Sequence, residues 1–380
     1  MKPRHLDLLV SLSSPSLSPD GEQAVFAARH PSFVVDDHVG RIWSVATAGR
    51  GRPRPLTRGT SDLAPQLSPD GQTVAFLRGG IDVKPQLAIV AAEGGEPRII
   101  TDAPLGVDEF VWSRDSGKLA FVARMPEEGR YGTLDGVPAD REDPRLIVGN
   151  KYQANGLGYT RDRPRGIYLL EVPSLEEDPW LEPRGRAVTG TEEDPRDSRA
   201  LGGRRGIPRA PLLTPMDADC HQPEFTPDGE RVYFTAALHA GEDSDLRTMV
   251  YGVPVAGGAP VLVVGGPESP RAWSRPRFSR DGRTLFLLTV YLGESGLDFV
   301  GRATAIAALE ADAKPGAEPR VLTDPVTSDY EAPWGFLEPF GQGSVMASAR
   351  VRGCGELHAI SPEGRIDVLV RGPRVVSAAA

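Results

Sequence analysis

A four-residue turn motif recurs five times along the chain, and this recurrence limits the fold more than any other feature. The copies are Ser18-Pro19-Asp20-Gly21, Ser68-Pro69-Asp70-Gly71, Ser113-Arg114-Asp115-Ser116, Thr226-Pro227-Asp228-Gly229 and Ser279-Arg280-Asp281-Gly282. Asp hydrogen-bonds the backbone of its own turn, and Gly accepts the positive φ that closes it. A proline (Pro15, Pro65, Pro223 or Pro276) stands six residues before the glycine in four copies. Apolar triplets follow the motif and end at Phe26, Phe76, Phe121, Phe234 and Leu287. Their alternation has the period of a strand, so each motif reads as the turn of a hairpin.

A third strand follows each hairpin, as in residues 41–45, 86–90, 166–170 and 249–253. A fourth, ending in Leu-Thr or Ile-Thr at Thr57, Thr101, Thr214 and Thr323, closes the unit. Four antiparallel strands repeated at propeller spacing predict an all-β chain, a β-propeller of four-stranded blades. The equivalent positions 21, 71, 116, 229 and 282 are roughly 45–53 residues apart, except for one doubled interval. The predicted blades span about 14–57, 65–101, 108–214, 222–264, 273–323 and 331–370, within a single domain covering 1–380. The third blade takes long insertions at 125–163 and 174–209. The sixth opens on Glu331-Ala332-Pro333-Trp334-Gly335-Phe336, and 373–380 reads as the first strand of a partial seventh.

The bulk numbers narrow the function classes. A net charge of −9 argues against a nucleic-acid partner, and no polybasic patch addresses a membrane. Cys220 and Cys354 are far apart and lack metal-type spacing, which fits a reducing compartment. The opening MKPRHLDLLVSLSSPS has only a four-residue apolar run, too short for a secretory signal, so the expected location is cytoplasmic.

The sequence resembles the N-terminal propeller of prolyl-oligopeptidase-family serine peptidases, closest to the acylaminoacyl-peptidase branch. The resemblance rests on Asp7-Leu8-Leu9, on Ser14-Pro15-Ser16-Leu17 before the first motif, on Asp36-Asp37 with Arg41-Ile42-Trp43, and on Leu56-Thr57-Arg58-Gly59. It continues in Lys151-Tyr152-Gln153-Ala154-Asn155-Gly156-Leu157-Gly158-Tyr159. TolB-like propellers share the turn motif, which leaves a stand-alone binding scaffold as the alternative.

The resemblance implies an α/β-hydrolase domain as partner, in cis or as a separate chain, and short peptides as substrates filtered by the propeller. It implies acyl transfer through a serine, with a histidine base and an oxyanion hole. No nucleophile elbow of the form G-x-S-x-G is found: Gly293-Glu294-Ser295-Gly296 has the wrong spacing, and Ser344 lies in a strand-like segment. This chain alone is therefore predicted to be inactive, with no catalytic residue, no cofactor and no metal site. Paired glutamates that hold a substrate amine in the dipeptidyl-peptidase branch are not carried over to Glu176-Glu177 or Glu192-Glu193.

Asp217, Asp219, Cys220 and His221 have the composition of metal ligands, but adjacent strand residues face opposite ways, and a turn capped by Asp is the expected reading. His30, His38, His239 and His358 stand isolated, and the arginines of 196–209 read as a solvated loop. The segment above background is the insertion around 145–165. There Tyr152, Asn155 and Tyr159 supply aromatic and amide groups suited to a peptide backbone.

Overall fold

The computed structural model describes residues 2–49, 51–80, 83–134, 136–178, 180–181, 201–203, 205–330 and 336–380. The opening residues of the expected sixth blade (331–335), Glu192-Glu193 and residues 196–200 and 204 of the arginine-rich loop lie outside the described residues.

Four-stranded antiparallel meanders follow one another along the chain. The first runs Ser11–Leu17, Gln23–Ser32, Asp37–Ala46 and Arg54–Pro55, and the second Ser61–Leu67, Thr73–Gly80, Val83–Ala91 and Arg98–Ile99. A parallel bridge from Gly40 to Ser61 joins the two. The third sheet has three strands, Val107–Trp112, Lys118–Arg124 and Arg165–Glu171. Where a fourth strand ending at Thr214 is expected, an isolated bridge pairs Tyr168 with Leu212. The fourth sheet is His221–Phe225, Arg231–Ala236, Met249–Pro254 and Val261–Val264; the fifth is Arg271–Phe278, Thr284–Tyr291, Ala305–Glu310 and Arg320–Val321. Leu337–Phe340, Ser344–Val351, Cys354–Ile360 and Ile366–Val370 make the sixth.

The chain forms two compact units, residues 1–123 with 168–212 and residues 124–167 with 213–380.

The motif residues form the same turn each time. The Ser or Thr hydroxyl donates to the Asp carboxylate at 2.5–2.6 Å in all five copies. The same hydroxyl accepts the amide five residues on, at 2.8–3.0 Å. The Asp oxygen accepts the amide two residues beyond it. Gly21, Gly71, Gly229 and Gly282 have φ of +73 to +75°, and Ser116 holds the same place at +61°. These hydroxyl donors, with the accepted amide, hold the Asp20, Asp115 and Asp228 carboxyls below their ordinary pKa.

The upstream prolines mark a second device. The first strand of the second, fourth and fifth sheets breaks register at Leu63/Gln66, His221/Glu224 and Ser274/Arg277. In each break the residue before the proline is left-handed: Ala64 at +49°, Gln222 at +56° and Arg275 at +51°. One extra residue there is a β-bulge, which bends the strand and raises its twist.

Strand alternation builds the core. In the second unit Leu285 and Leu287 face Val250, Trp273 and Phe278, while Phe286 and Leu288 face Tyr330, Leu337 and Val345. One strand thus feeds two apolar layers, each large side chain contributing about 1.5–3 kcal/mol. In the first unit Val25, Ile42, Val74, Phe76 and Val90 form a comparable layer.

Within the second unit, a recurring amide contact marks the start of each new sheet. The amides of Cys220, Trp273 and Tyr330 donate to the carbonyls of Arg165, Thr248 and Thr304, which begin or just precede a third strand. Val376 repeats it, donating to Gly355 O at 3.0 Å, and Ser348 Oγ donates to Val376 O.

Ser68 is buried and serves its turn as both donor and acceptor. Ser68→Ala strands the Thr73 amide and is expected to lower the unfolding free energy by roughly 1–3 kcal/mol, read from urea denaturation. No change in the urea midpoint would sink this account of the turn.

Candidate functional site

The insertion between Lys118–Arg124 and Arg165–Glu171 carries the three residues singled out from sequence. Its strands Gln153–Ala154 and Gly158–Tyr159 pair Gln153 with Tyr159 and Ala154 with Gly158. Gly156, at φ +75°, allows the turn between them. Asn155 is exposed at this tip, whereas Tyr152 and Tyr159 are half-buried with ring centroids 6.0 Å apart. The structure therefore brings the two tyrosines together and sets Asn155 apart.

Behind the tyrosines stands a layered ionic support. The Arg145 guanidinium lies 4.9 Å from the Tyr159 ring centroid and 5.3 Å from that of Tyr131, and Arg163 lies 4.4 Å from Tyr131. Tyr131 donates to Asp162 at 2.6 Å, and Arg145 donates to Asp162 at 2.5 Å and to Glu142 at 2.9 Å. Burial works to raise the Asp162 pKa, but the bonds from Tyr131 and Arg145 outweigh it and hold the carboxyl below its ordinary value. Below the hairpin, the Asn150 and Lys151 amides donate to Asp243 at 2.7 and 2.9 Å, and Arg161 donates to the same carboxylate at 2.7 Å. A Cβ on Gly149 would stand 3.1 Å from the Asp243 carboxylate, a tight approach. Those amide donors pull the Asp243 pKa down to about 2. Sequence reading missed Tyr131, Asp162 and Asp243. The first two alternate with arginines nearby, a usable signal, but Asp243 is some ninety residues away and carries none.

The arrangement offers aromatic faces and an exposed amide on a braced hairpin, which suits an extended peptide backbone.

Of the residues weighed as metal ligands, Asp219 is taken up by arginines. Asp219 accepts from the Arg165 amide and Nε, both at 2.9 Å, and from Arg124 at 3.4 Å. Burial pushes the Cys220 thiol up to about 12. Burial, helped by the Arg165 charge, pushes the His221 imidazole down to about 4, and its Nδ1 is buried without a hydrogen-bond partner among the described residues. Ser295, in the Gly293–Gly296 run, uses its Oγ to accept the Leu297 amide at 3.3 Å.

No family model matches the chain. The chain is 28% identical over 244 residues to YuxL, an uncharacterized peptidase of Bacillus subtilis, a match covering 64% of this chain and 32% of that protein. In structure it is similar to Pyrococcus horikoshii acylaminoacyl peptidase, with a TM-score of 0.64 at 12% identity over 96% of this chain and 47% of that one. It is also similar to the β-propeller domain of the Trilobed protease from Pyrococcus furiosus, with a TM-score of 0.56 at 14% identity over 96% of this chain and 84% of that one. The fold is a β-propeller. This propeller spans about a third of YuxL and about half of the acylaminoacyl peptidase.

His221 gives the propeller a pH dependence. Its pKa is about 4 when folded against an ordinary 6.5, so the unfolded chain takes up the proton first. Its stabilisation is present above about pH 6.5 and is lost as pH falls towards 4, by about 3 kcal/mol at most. Unfolding free energies measured across that range should decline in the wild type and flatten in His221→Gln. Equal slopes would count against it.

Proposed function

We propose that this chain is the substrate-gating propeller of an acylaminoacyl-peptidase/prolyl-oligopeptidase-like serine peptidase, working with an α/β-hydrolase domain that supplies the nucleophile. The observation that carries the reading is the match to YuxL over 64% of the chain, with the fold of an acylaminoacyl peptidase supporting it. In this reading the propeller filters by size: short peptides reach the serine, while folded chains and bulk water are held away. Short peptides are the ligands in this reading, contacted by Tyr152, Asn155 and Tyr159. Neither nucleic acid nor a membrane is involved, and the site of action is the cytoplasm. The predicted blade boundaries are kept, with the tail opening a seventh blade. In support, Val376 repeats the amide contact that begins the fourth, fifth and sixth sheets.

Titration of the purified chain with an acetylated tripeptide is expected to show binding without hydrolysis. Tyr152→Ala and Tyr159→Ala should each weaken binding roughly threefold to tenfold, since a packed aromatic contact contributes about 0.5–1.5 kcal/mol. Hydrolysis of acetyl-alanine p-nitroanilide by the pure chain would overturn its assignment as the non-catalytic part. Affinities untouched by either substitution would remove the hairpin from the site.

A further inference from the structure

We infer that the motif ends of the first two sheets enclose a binding site for a small organic cation, an alkylammonium or guanidinium group. The inference goes beyond the peptidase reading and is independent of it.

The first and second sheets share an apolar layer that includes Val25, Ala27 and Ile42 from one and Val74, Val90 and Ala92 from the other. At the motif end this layer gives way to a cavity of about 530 Å³, with Asp20, Glu22, Gln23, Ser44, Arg54 and Asp70 in its lining. That volume suits a small molecule.

Strand register shows where the first sheet departs from the others. Val25, Ser44 and Arg54 form one row across it. The corresponding rows are Ala75, Ile89 and Arg98 in the second sheet, and Phe286, Ala308 and Arg320 in the fifth. The arginine is a shared structural device. Arg54 donates to Glu93 O at 3.2 Å, Arg98 to Ser174 O at 3.0 Å and Arg320 to Glu363 O at 3.3 Å. The middle residue is not shared. Ser44 is a hydroxyl only 2% accessible, where the other two rows place isoleucine or alanine. Its one side-chain bond among the described residues is to accept Gln23 Nε2 at 2.7 Å. A buried hydroxyl at an apolar position costs stability, and a local rule broken in this way marks a functional position.

The groups left open around Ser44 are acceptors. The turn bonds of Asp20, from Ser18 and the Glu22 amide, and those of Asp70, from Ser68 and the Gln72 amide, engage Oδ1 alone. Glu22 is exposed and forms no ion pair among the described residues. Three carboxylates thus stand against one guanidinium in the lining. Among the described residues no three acidic, histidine or cysteine groups are spaced to hold a metal ion, and the cavity is far larger than one. A charge carried on a hydrocarbon stem matches better: its N–H groups meet the carboxylates and Ser44, and its methylenes lie against Pro19 and Ala46.

The walls are set in advance. Leu67 N donates to Ser16 Oγ at 3.0 Å, and Gln23 Nε2 reaches Ala92 O at 3.4 Å, so the two sheets are tied on either side of the cavity. A Cβ on Gly71 would stand 3.0 Å from the Pro19 ring, which puts the two motif turns in contact. A site held this way gives up little freedom when it fills.

The test is calorimetric titration of the full chain with 1,5-diaminopentane, where one saturable site is expected. Glu22→Lys should weaken binding about tenfold or more, since repulsion replaces attraction for the same cation. Ser44→Val, which removes an acceptor and fills part of the cavity, should weaken it about threefold. Glu318→Lys, an exposed reversal outside the cavity, should leave affinity within about twofold. Where Ser44→Val fails to fold, the exposed Glu22→Lys carries the test. Tighter binding of acetyl-glycyl-lysine amide than of the diamine makes a basic peptide side chain the source of the cation, and the reverse order makes it a free amine; either supports the site. No saturable binding of either probe, equal losses in Glu22→Lys and Glu318→Lys, or displacement of the diamine by stoichiometric calcium chloride would overturn it. None of these outcomes bears on the peptidase reading.

Discussion

One short hydrogen bond, from a Ser or Thr hydroxyl to an Asp carboxylate two residues on, organises the molecule. At 2.5–2.6 Å it fixes the carboxylate so that its oxygen also accepts the amide two residues ahead. The hydroxyl meanwhile accepts the first amide of the second strand. Polar groups that a tight turn would leave bare are thereby paired locally, at no cost in chain length. The register of each hairpin is thus fixed by contacts that span no more than five residues. Since a one-residue slip would turn every apolar side chain to the wrong face, this local lock decides which residues reach the core.

Repetition alone does not hold sheets together, and the bulges supply the next level. In the second unit Gln222, left-handed at its bulge, accepts the amide of Arg275, the bulge residue of the following sheet, at 2.8 Å. Two residues on, Arg277 donates to Glu224 at 2.8 Å, to Glu338 at 3.0 Å and to Leu337 O at 3.0 Å, linking the fourth, fifth and sixth sheets through one half-buried guanidinium. Burial raises the Glu224 pKa, with Arg277 opposing it, so removal of the arginine would leave an acid stranded in the interior. The first unit uses neutral groups for the same task. Trp112 Nε1 donates to Gln66 O and Gln66 Nε2 to Phe110 O.

What could be read in advance follows the range of the interactions. Turns and alternation act over a few residues, so the hairpins at Phe26, Phe76, Phe121, Phe234 and Leu287 are visible in the sequence. The expected fourth strand of the third sheet is reduced to a single bridge at Leu212, flanked by backbone bonds from Leu169 N to Pro211 O and from Leu213 N to Ile167 O. A sixth turn of this kind, Ser361-Pro362-Glu363-Gly364, closes with Gly364 N donating to Ser361 O, but it joins a third strand to a fourth and carries Glu where the other five carry Asp. At the candidate site Tyr152 and Tyr159 were legible as a pair. Their support was not: Asp243 meets Asn150 and Lys151 across some ninety residues of sequence, and composition carries no trace of such a partner.

The two edges of the sheets in the second unit solve different problems, and function follows from the difference. At the motif edge the tips are short and polar, and the hydroxyl and carboxylate of each motif are paired within their own turn. At the other edge the connections are long, the ion pairs run between loops, and apolar residues point outward. Long loops carry a conformational-entropy cost that rises slowly with length, so a scaffold of stiff hairpins can carry them and still hold them in place. The carboxylate of Asp243, on the connection between the second and third strands of the fourth sheet, holds the base of the Tyr152–Tyr159 hairpin through the Asn150 and Lys151 amides, so two loops far apart in sequence are fixed as one.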